Sequence, residues 1–135
     1  MPENAPARPR TTVSHTADGR FETGLRAFFA YRDLGIREAT GGAYAAHVIK
    51  AVPGEASQPL WHTHELDFQM VFVLKGWVRF DYEDIGQVTL QAGDSVMQPP
   101  RIRHREIAHS DDMELLEITS PGEFRTEVTE APPGR

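Results

Sequence analysis

The sequence predicts an all-β protein, an antiparallel sandwich or small barrel. Short apolar runs alternate with polar residues at the two-residue period of a strand, and Gly, Pro and Asp turn signals separate them at close intervals. No segment sustains the 3.6-residue period of a long helix, and that combination is the mark of an antiparallel β architecture.

The elements follow in order. Residues 1–19 carry Pro2, Pro6 and Pro9 among small and charged residues, too polar to bury surface, and are expected to form a flexible arm in which His15 is solvated. From Phe21 the chain turns apolar, with Leu25, Phe28, Phe29, Tyr31, Leu34 and Ile36, predicting one or two early strands, although a short helix also fits that spacing. Tyr44 to Val52 reads as a strand closed by the Pro53-Gly54 turn, with His47 on the face it shares with Ala45 and Ile49. Asp67 to Leu74 and Trp77 to Tyr82, joined by Lys75-Gly76, predict a hairpin. Gln87 to Gln91, Ser95 to Gln98, His104 to His109 and a final strand from Met113 to Thr119 complete the fold, and residues 121–135 are expected to fray. Residues 20–120 would then make a single barrel domain, since 135 residues suit one core.

Composition narrows the function. A formal charge of -6 disfavours nucleic acid. The one basic cluster, Arg101, Arg103 and Arg105, should point away from the face of His104 and pair with acids on a neighbouring strand or subunit, or hold a substrate carboxylate. With no cysteine there is no disulfide or thiolate chemistry, and a reducing, cytoplasmic home is compatible. No apolar run approaches the roughly 20 residues needed to span a bilayer, so a soluble protein without a membrane partner is expected.

The chemistry centres on Trp61-His62-Thr63-His64. Two histidines one residue apart project from the same face of a strand and can chelate a divalent metal, given a third ligand from elsewhere. Farther along, Gln69 shares a face with Val71 and Val73, where an unpartnered amide would cost on the order of 1–3 kcal/mol, so a metal or a pocket water is expected beside it.

His62-Thr63-His64, Gln69 and Gly76 in the first cluster, and Gly93, Pro99 and His104 in the second, resemble the two cupin motifs, G-x5-HxH-x3,4-E-x6-G and G-x5-P-x-G-x2-H-x3-N, with six of the ten fixed positions in register. The departures are Gly54, two residues too far upstream, Gln69 for glutamate, Arg101 for glycine and Ala108 for asparagine. The resemblance implies a double-stranded β-helix, the cupin jelly-roll barrel, which commonly pairs through its outer faces, so a homodimer is expected. It implies one divalent metal ion on His62, His64 and His104, with Gln69 either coordinating through its neutral amide, which weakens the metal and attracts an anionic, chelating substrate, or hydrogen-bonding a water and leaving a three-histidine facial site. Imidazole with a weak oxygen ligand suits Fe(II), favoured here, as well as Ni, Mn, Zn or Cu.

The function expected first is a dioxygenase acting with O2 on a small enolisable, dicarbonyl or phenolic compound. A metal-dependent isomerase, epimerase or lyase, and a non-catalytic small-molecule-binding cupin, are the alternatives. Glu106, by its parity with His104, is a candidate general base, and His47 a candidate for substrate contact. Trp61, Val71, Phe72, Phe80 and Met97 are expected to wall the pocket. His109, of opposite parity, is expected to be structural or solvated.

Overall fold

A computed structural model describes residues 8–24 and 26–135; residues 1–7 of the expected arm, and Leu25 of the early apolar block, lie outside the described residues. Eleven strands form two antiparallel sheets: β1 (Glu22–Thr23), β2 (Phe29–Asp33), β3 (Ala45–Ala51), β4 (His62–Glu65), β5 (Phe68–Lys75), β6 (Trp77–Tyr82), β7 (Gly86–Gln91), β8 (Ser95–Met97), β9 (His104–His109), β10 (Glu114–Ser120) and β11 (Arg125–Val128). The first sheet runs β1-β2-β3-β10-β5-β8 and the second β11-β4-β9-β6-β7. One short helix, α1 (Ile36–Ala39), links β2 to β3. This is the jelly-roll barrel, and its core of Ile49, Val71, Val73, Val78, Phe80, Tyr82 and Leu115 lies between the sheets.

Alternation along each strand decides which side chains enter the barrel. On β5, Gln69, Val71 and Val73 are buried while Phe68, Phe72 and Leu74 are exposed. Phe72 and Met97, expected as pocket walls, therefore lie on the outside, 37% and 56% exposed. Trp61 also leaves the cavity. It is buried on the outer side of the second sheet under the guanidinium of Arg105, 4.6 Å from the ring centroid. Val71 and Phe80 do line the interior.

Two connections differ from expectation. β5 and β6 make no hairpin: β5 pairs with β10 and β8, β6 with β7 and β9. Gly76, at φ 69°, carries the chain from one sheet to the other where a Cβ would run into Ser110 and Asp112, so the turn needs glycine for both conformation and space. Residues 121–135, expected to fray, supply β11, which pairs with β4 from Arg125↔Glu65 to Val128↔His62. At the other end, residues 10–19 lie against the barrel through Arg10 N–H on the Ala39 carbonyl at 3.2 Å and the Arg32 guanidinium on Ser14 Oγ at 2.8 Å. His15 there is exposed.

The arginine cluster pairs with acids on the outer surface. Arg101 meets Glu65 at 3.0 Å, and Arg105 donates twice to Asp81, at 3.2 and 3.1 Å, with Arg135 on the other oxygen of that carboxylate at 2.5 Å. Arg103 reaches the Ala131 carbonyl at 3.5 Å, while its own N–H bonds Glu83 at 2.7 Å. None of the three is among the residues that line the main cavity.

Candidate metal centre and its cavity

β4 and β9 lie side by side with His62 directly opposite His104, and the two-residue period puts His64 on the same inner face. One ring nitrogen from each of the three lies within 4.8 Å of the others, and the ring centroids are 4.3 to 5.0 Å apart. The hydrogen bonds behind the rings fix which nitrogen faces inward. A carbonyl only accepts, so Nδ1 of His62 carries its proton to Leu60 O at 2.8 Å, and Nδ1 of His104 to Ile102 O at 3.1 Å. Nδ1 of His64 is held by Thr126 Oγ1 at 2.8 Å. Nε2 of His62 and of His104 is thereby left as the acceptor nitrogen, and at His62 it accepts from Arg26 Nη2 at 3.0 Å. Orientation of this kind from behind is what a metal-binding imidazole requires.

The three rings are also neutral. Burial depresses His62 to about 4, with the Arg26 guanidinium adding to the effect. Burial, then the neighbouring imidazoles, depresses His64 to about 3, and burial followed by His62 does the same for His104. Neutral, convergent imidazoles without a thiolate fit a borderline divalent ion. Tyr82 supports His104 by stacking at 5.7 Å, its own hydroxyl bonded to Gln98 Oε1 at 2.6 Å.

The centre opens into a cavity of about 370 Å³, predominantly apolar, to which both sheets contribute. Gln69 faces it from β5 and is 3% exposed, but its amide has a partner the sequence reading missed: Nε2 donates to Glu117 Oε2 on β10 at 3.0 Å. Desolvation raises the pKa of Glu117, opposed by that hydrogen bond. Parity could have found it, because Leu115, Glu117 and Thr119 alternate on one face of β10. His47 also lines the cavity, its pKa lowered by burial, beside Tyr31, whose hydroxyl is pushed up to about 12 by burial first and then by Glu117.

Three more residues enter where sequence signals were weak or absent. Arg26, before β2, places Nη2 3.0 Å from Nε2 of His62. Phe124, just before β11, packs edge-on to His64 at 5.3 Å. His109 turns inward against its parity. β9 carries a bulge, Glu106 pairing with Phe80 and Ala108 with Arg79, so Ile107 is extra and the alternation resets. His109 Nδ1 consequently meets Glu106 Oε1 at 2.9 Å, its ring packed against Phe28 and Phe29. His109 is structural and buried, with its side chain 4% exposed.

The "Cupin domain" family model matches residues 47–119, more than half of the chain. The protein is a cupin. Among solved structures, this cupin is similar to the polyketide cyclase RemF from Streptomyces resistomycificus, at 16% identity and TM-score 0.72 over 92% of this chain and 89% of that one. KdgF from Halomonas sp. is similar at 19% identity and TM-score 0.65, over 82% and 94%. The iron(II) form of HppE is similar at 14% identity and TM-score 0.66, over 88% and 66%. At these identities the likeness concerns the fold. No curated protein matches the sequence. Arg101, standing where the cupin motif writes glycine, has φ 63°, so the cupin keeps the left-handed turn and departs only in the side chain.

Proposed function

We propose that this cupin is a mononuclear metal-dependent enzyme acting on a small enolisable dicarbonyl or phenolic compound with dioxygen as co-substrate. The observation that carries this reading is three neutral imidazoles converging at the wall of a predominantly apolar cavity of about 370 Å³. Such a cavity suits a ring-sized apolar body with a few oxygens better than a sugar. His62, His64 and His104 would hold the ion. We assign Gln69 as a fourth ligand through Oε1, the amide atom that Glu117 does not occupy. A bound divalent ion would supply a Lewis acid and, for a redox metal, electrons for dioxygen. Fe(II) is the first choice, and the iron(II) in HppE supports testing it first; Ni, Mn, Zn and Cu suit the same donors.

The chain's own groups do the rest. Arg26 supplies a cation beside His62 for an anionic substrate oxygen, and the apolar walls exclude water. His47 and Glu106 face the cavity from opposite sheets; in this reading His47 is the group placed to take or return a substrate proton, and Glu106 takes that part only in the proton-transfer reading below. A second reading, proton-transfer chemistry in an isomerase, lyase or cyclase, is favoured by the two carboxylates on the cavity wall, Glu106 and Glu117. Its likeness in fold to a polyketide cyclase is compatible with that reading.

Metal analysis of protein purified without added metal, followed by oxygen-electrode assays of the Fe(II)-loaded form with dicarbonyls and phenols, tests the proposal. Oxygen consumption matched to substrate loss is expected. Turnover that proceeds equally without oxygen selects the second reading, and no turnover at full metal occupancy removes the first. The apolar outer face of the six-stranded sheet, with Phe68, Phe72, Leu74 and Met97 each 37–56% exposed, supports a homodimer, and the lack of cysteine agrees with a cytoplasmic setting.

A further inference from the structure

The cavity has a second polar feature away from the three imidazoles. Among the described residues, three buried side-chain atoms have no hydrogen-bond partner: Arg32 Nε, Thr129 Oγ1 and Glu106 Oε2. Of these residues Glu106 alone lines the main cavity. It is 7% exposed, and its other oxygen is fixed by His109 at 2.9 Å. Phe80 is its cross-strand partner, and the lining of the same cavity includes Phe28, Phe29 and Leu115. An acceptor left bare in such surroundings costs on the order of 1–3 kcal/mol, more for a charged group, and a donor arriving from the cavity would relieve that cost. Glu106 lies two residues beyond His104 on one strand face, roughly 7 Å at about 3.3 Å per residue, the length of a six-membered ring with one substituent.

We propose that Glu106 is a specificity-determining residue that accepts a hydrogen bond from a hydroxyl on the substrate, at the end of the molecule remote from the histidines. The substrate class is then a hydroxylated aromatic or alicyclic compound: ring oxygens toward His62, His64 and His104, apolar body against the phenylalanines, hydroxyl on Glu106. The bulge at Ile107 serves this arrangement by bringing His109 inward to hold the carboxylate. Ser57 Oγ, 3.0 Å from His109 Nδ1, steadies that ring from the loop before β4. The inference deepens the proposed function and rests on it for the orientation of the substrate, but the donor contact itself needs no metal.

The test uses p-cresol and p-xylene, alike in shape and different by one hydroxyl. Each is titrated calorimetrically into the full chain stripped of metal by chelation, so that the single hydroxyl of p-cresol has no ion to bind, and Zn(II) is titrated separately into the same chain. The ratio of the two affinities should fall at least tenfold from wild type to Glu106→Leu, the loss of one hydrogen bond to a charged acceptor. It should fall less in Glu106→Gln, whose amide oxygen still accepts, and the fall in Glu106→Leu should exceed that in His64→Ala, whose imidazole is the competing acceptor for the same hydroxyl. Leucine fills the site with apolar volume and leaves His109 its bond to Ser57, and the glutamine variant repeats the measurement with the original side-chain shape. An unchanged ratio in both Glu106 variants, or no p-cresol binding to the wild-type cavity, overturns the proposal. Failure to bind Zn(II) with the p-cresol effect intact removes the metal reading and leaves Glu106 its role.

Discussion

At the scale of single residues the centre turns on the pair Gln69 and Glu117. A glutamate at position 69 would set two carboxyl groups across one hydrogen bond now spanning 3.0 Å, and like charges that close do not both ionise without a cation between them. Gln69→Glu should therefore destabilise the metal-free protein, by about 1–3 kcal/mol if the hydrogen bond is lost, while tightening the metal by adding an anionic donor. Thermal melts with and without chelator, and competition against a chromophoric chelator, read both effects. Unchanged metal affinity would show that residue 69 does not touch the ion. The amide's need for a partner is legible from its place among Val71 and Val73; Glu117 is masked by the leucines and isoleucines that dominate the pattern of the final strand.

Among the elements, β11 and the residue before it support the site from behind. Thr126 on β11 holds Nδ1 of His64, and Phe124 packs on the same ring. Thr126→Val keeps the shape and removes the hydroxyl, so metal affinity should fall about tenfold or more while the fold persists, as expected for a partner behind a ligand. A variant that binds metal as tightly as wild type would reduce the Thr126 contact to packing. The inner faces of β4, β5 and the first half of β9 are readable from alternation, and the histidine spacing alone points to the three rings that converge. β11 was not readable, because Arg125 to Val128 is polar and only pairing with β4 makes it a strand. Parity likewise failed at His109, since a bulge adds a residue that no local pattern announces. The expected β5–β6 hairpin failed for a topological reason: a tight glycine turn serves equally for a hairpin and for a crossing between sheets.

The whole molecule should respond to pH through the same histidines. Folded His62 sits at about 4 and His64 and His104 at about 3, against 6.5 for a solvated imidazole. Between those values the unfolded chain binds more protons, so stability is lost as pH falls below about 6.5. Glu117 acts in the opposite sense, because its raised pKa delays ionisation in the folded state and favours low pH. Four imidazoles, His47 included, against one carboxyl set the sign. The melting temperature of metal-free protein should drop from pH 6.5 to 4.5, less steeply in His64→Ala, and most steeply in metal-loaded protein, where protons compete with the ion. For the assembly, Phe72→Lys should convert a dimer to a folded monomer in sedimentation; a wild type already monomeric would remove that face from consideration.

The pairing of β4 with β9 and β11 also carries a consequence for biogenesis. His62 and His64 gain their strand neighbours only after residues 104 and 126 have been synthesised, and β5 waits likewise for β10. Distant pairings of this sort are slow to form, on the millisecond-to-second scale usual for such topologies. A nascent chain therefore cannot bring the three imidazoles together, with Thr126 behind His64, until residue 126 has left the ribosome.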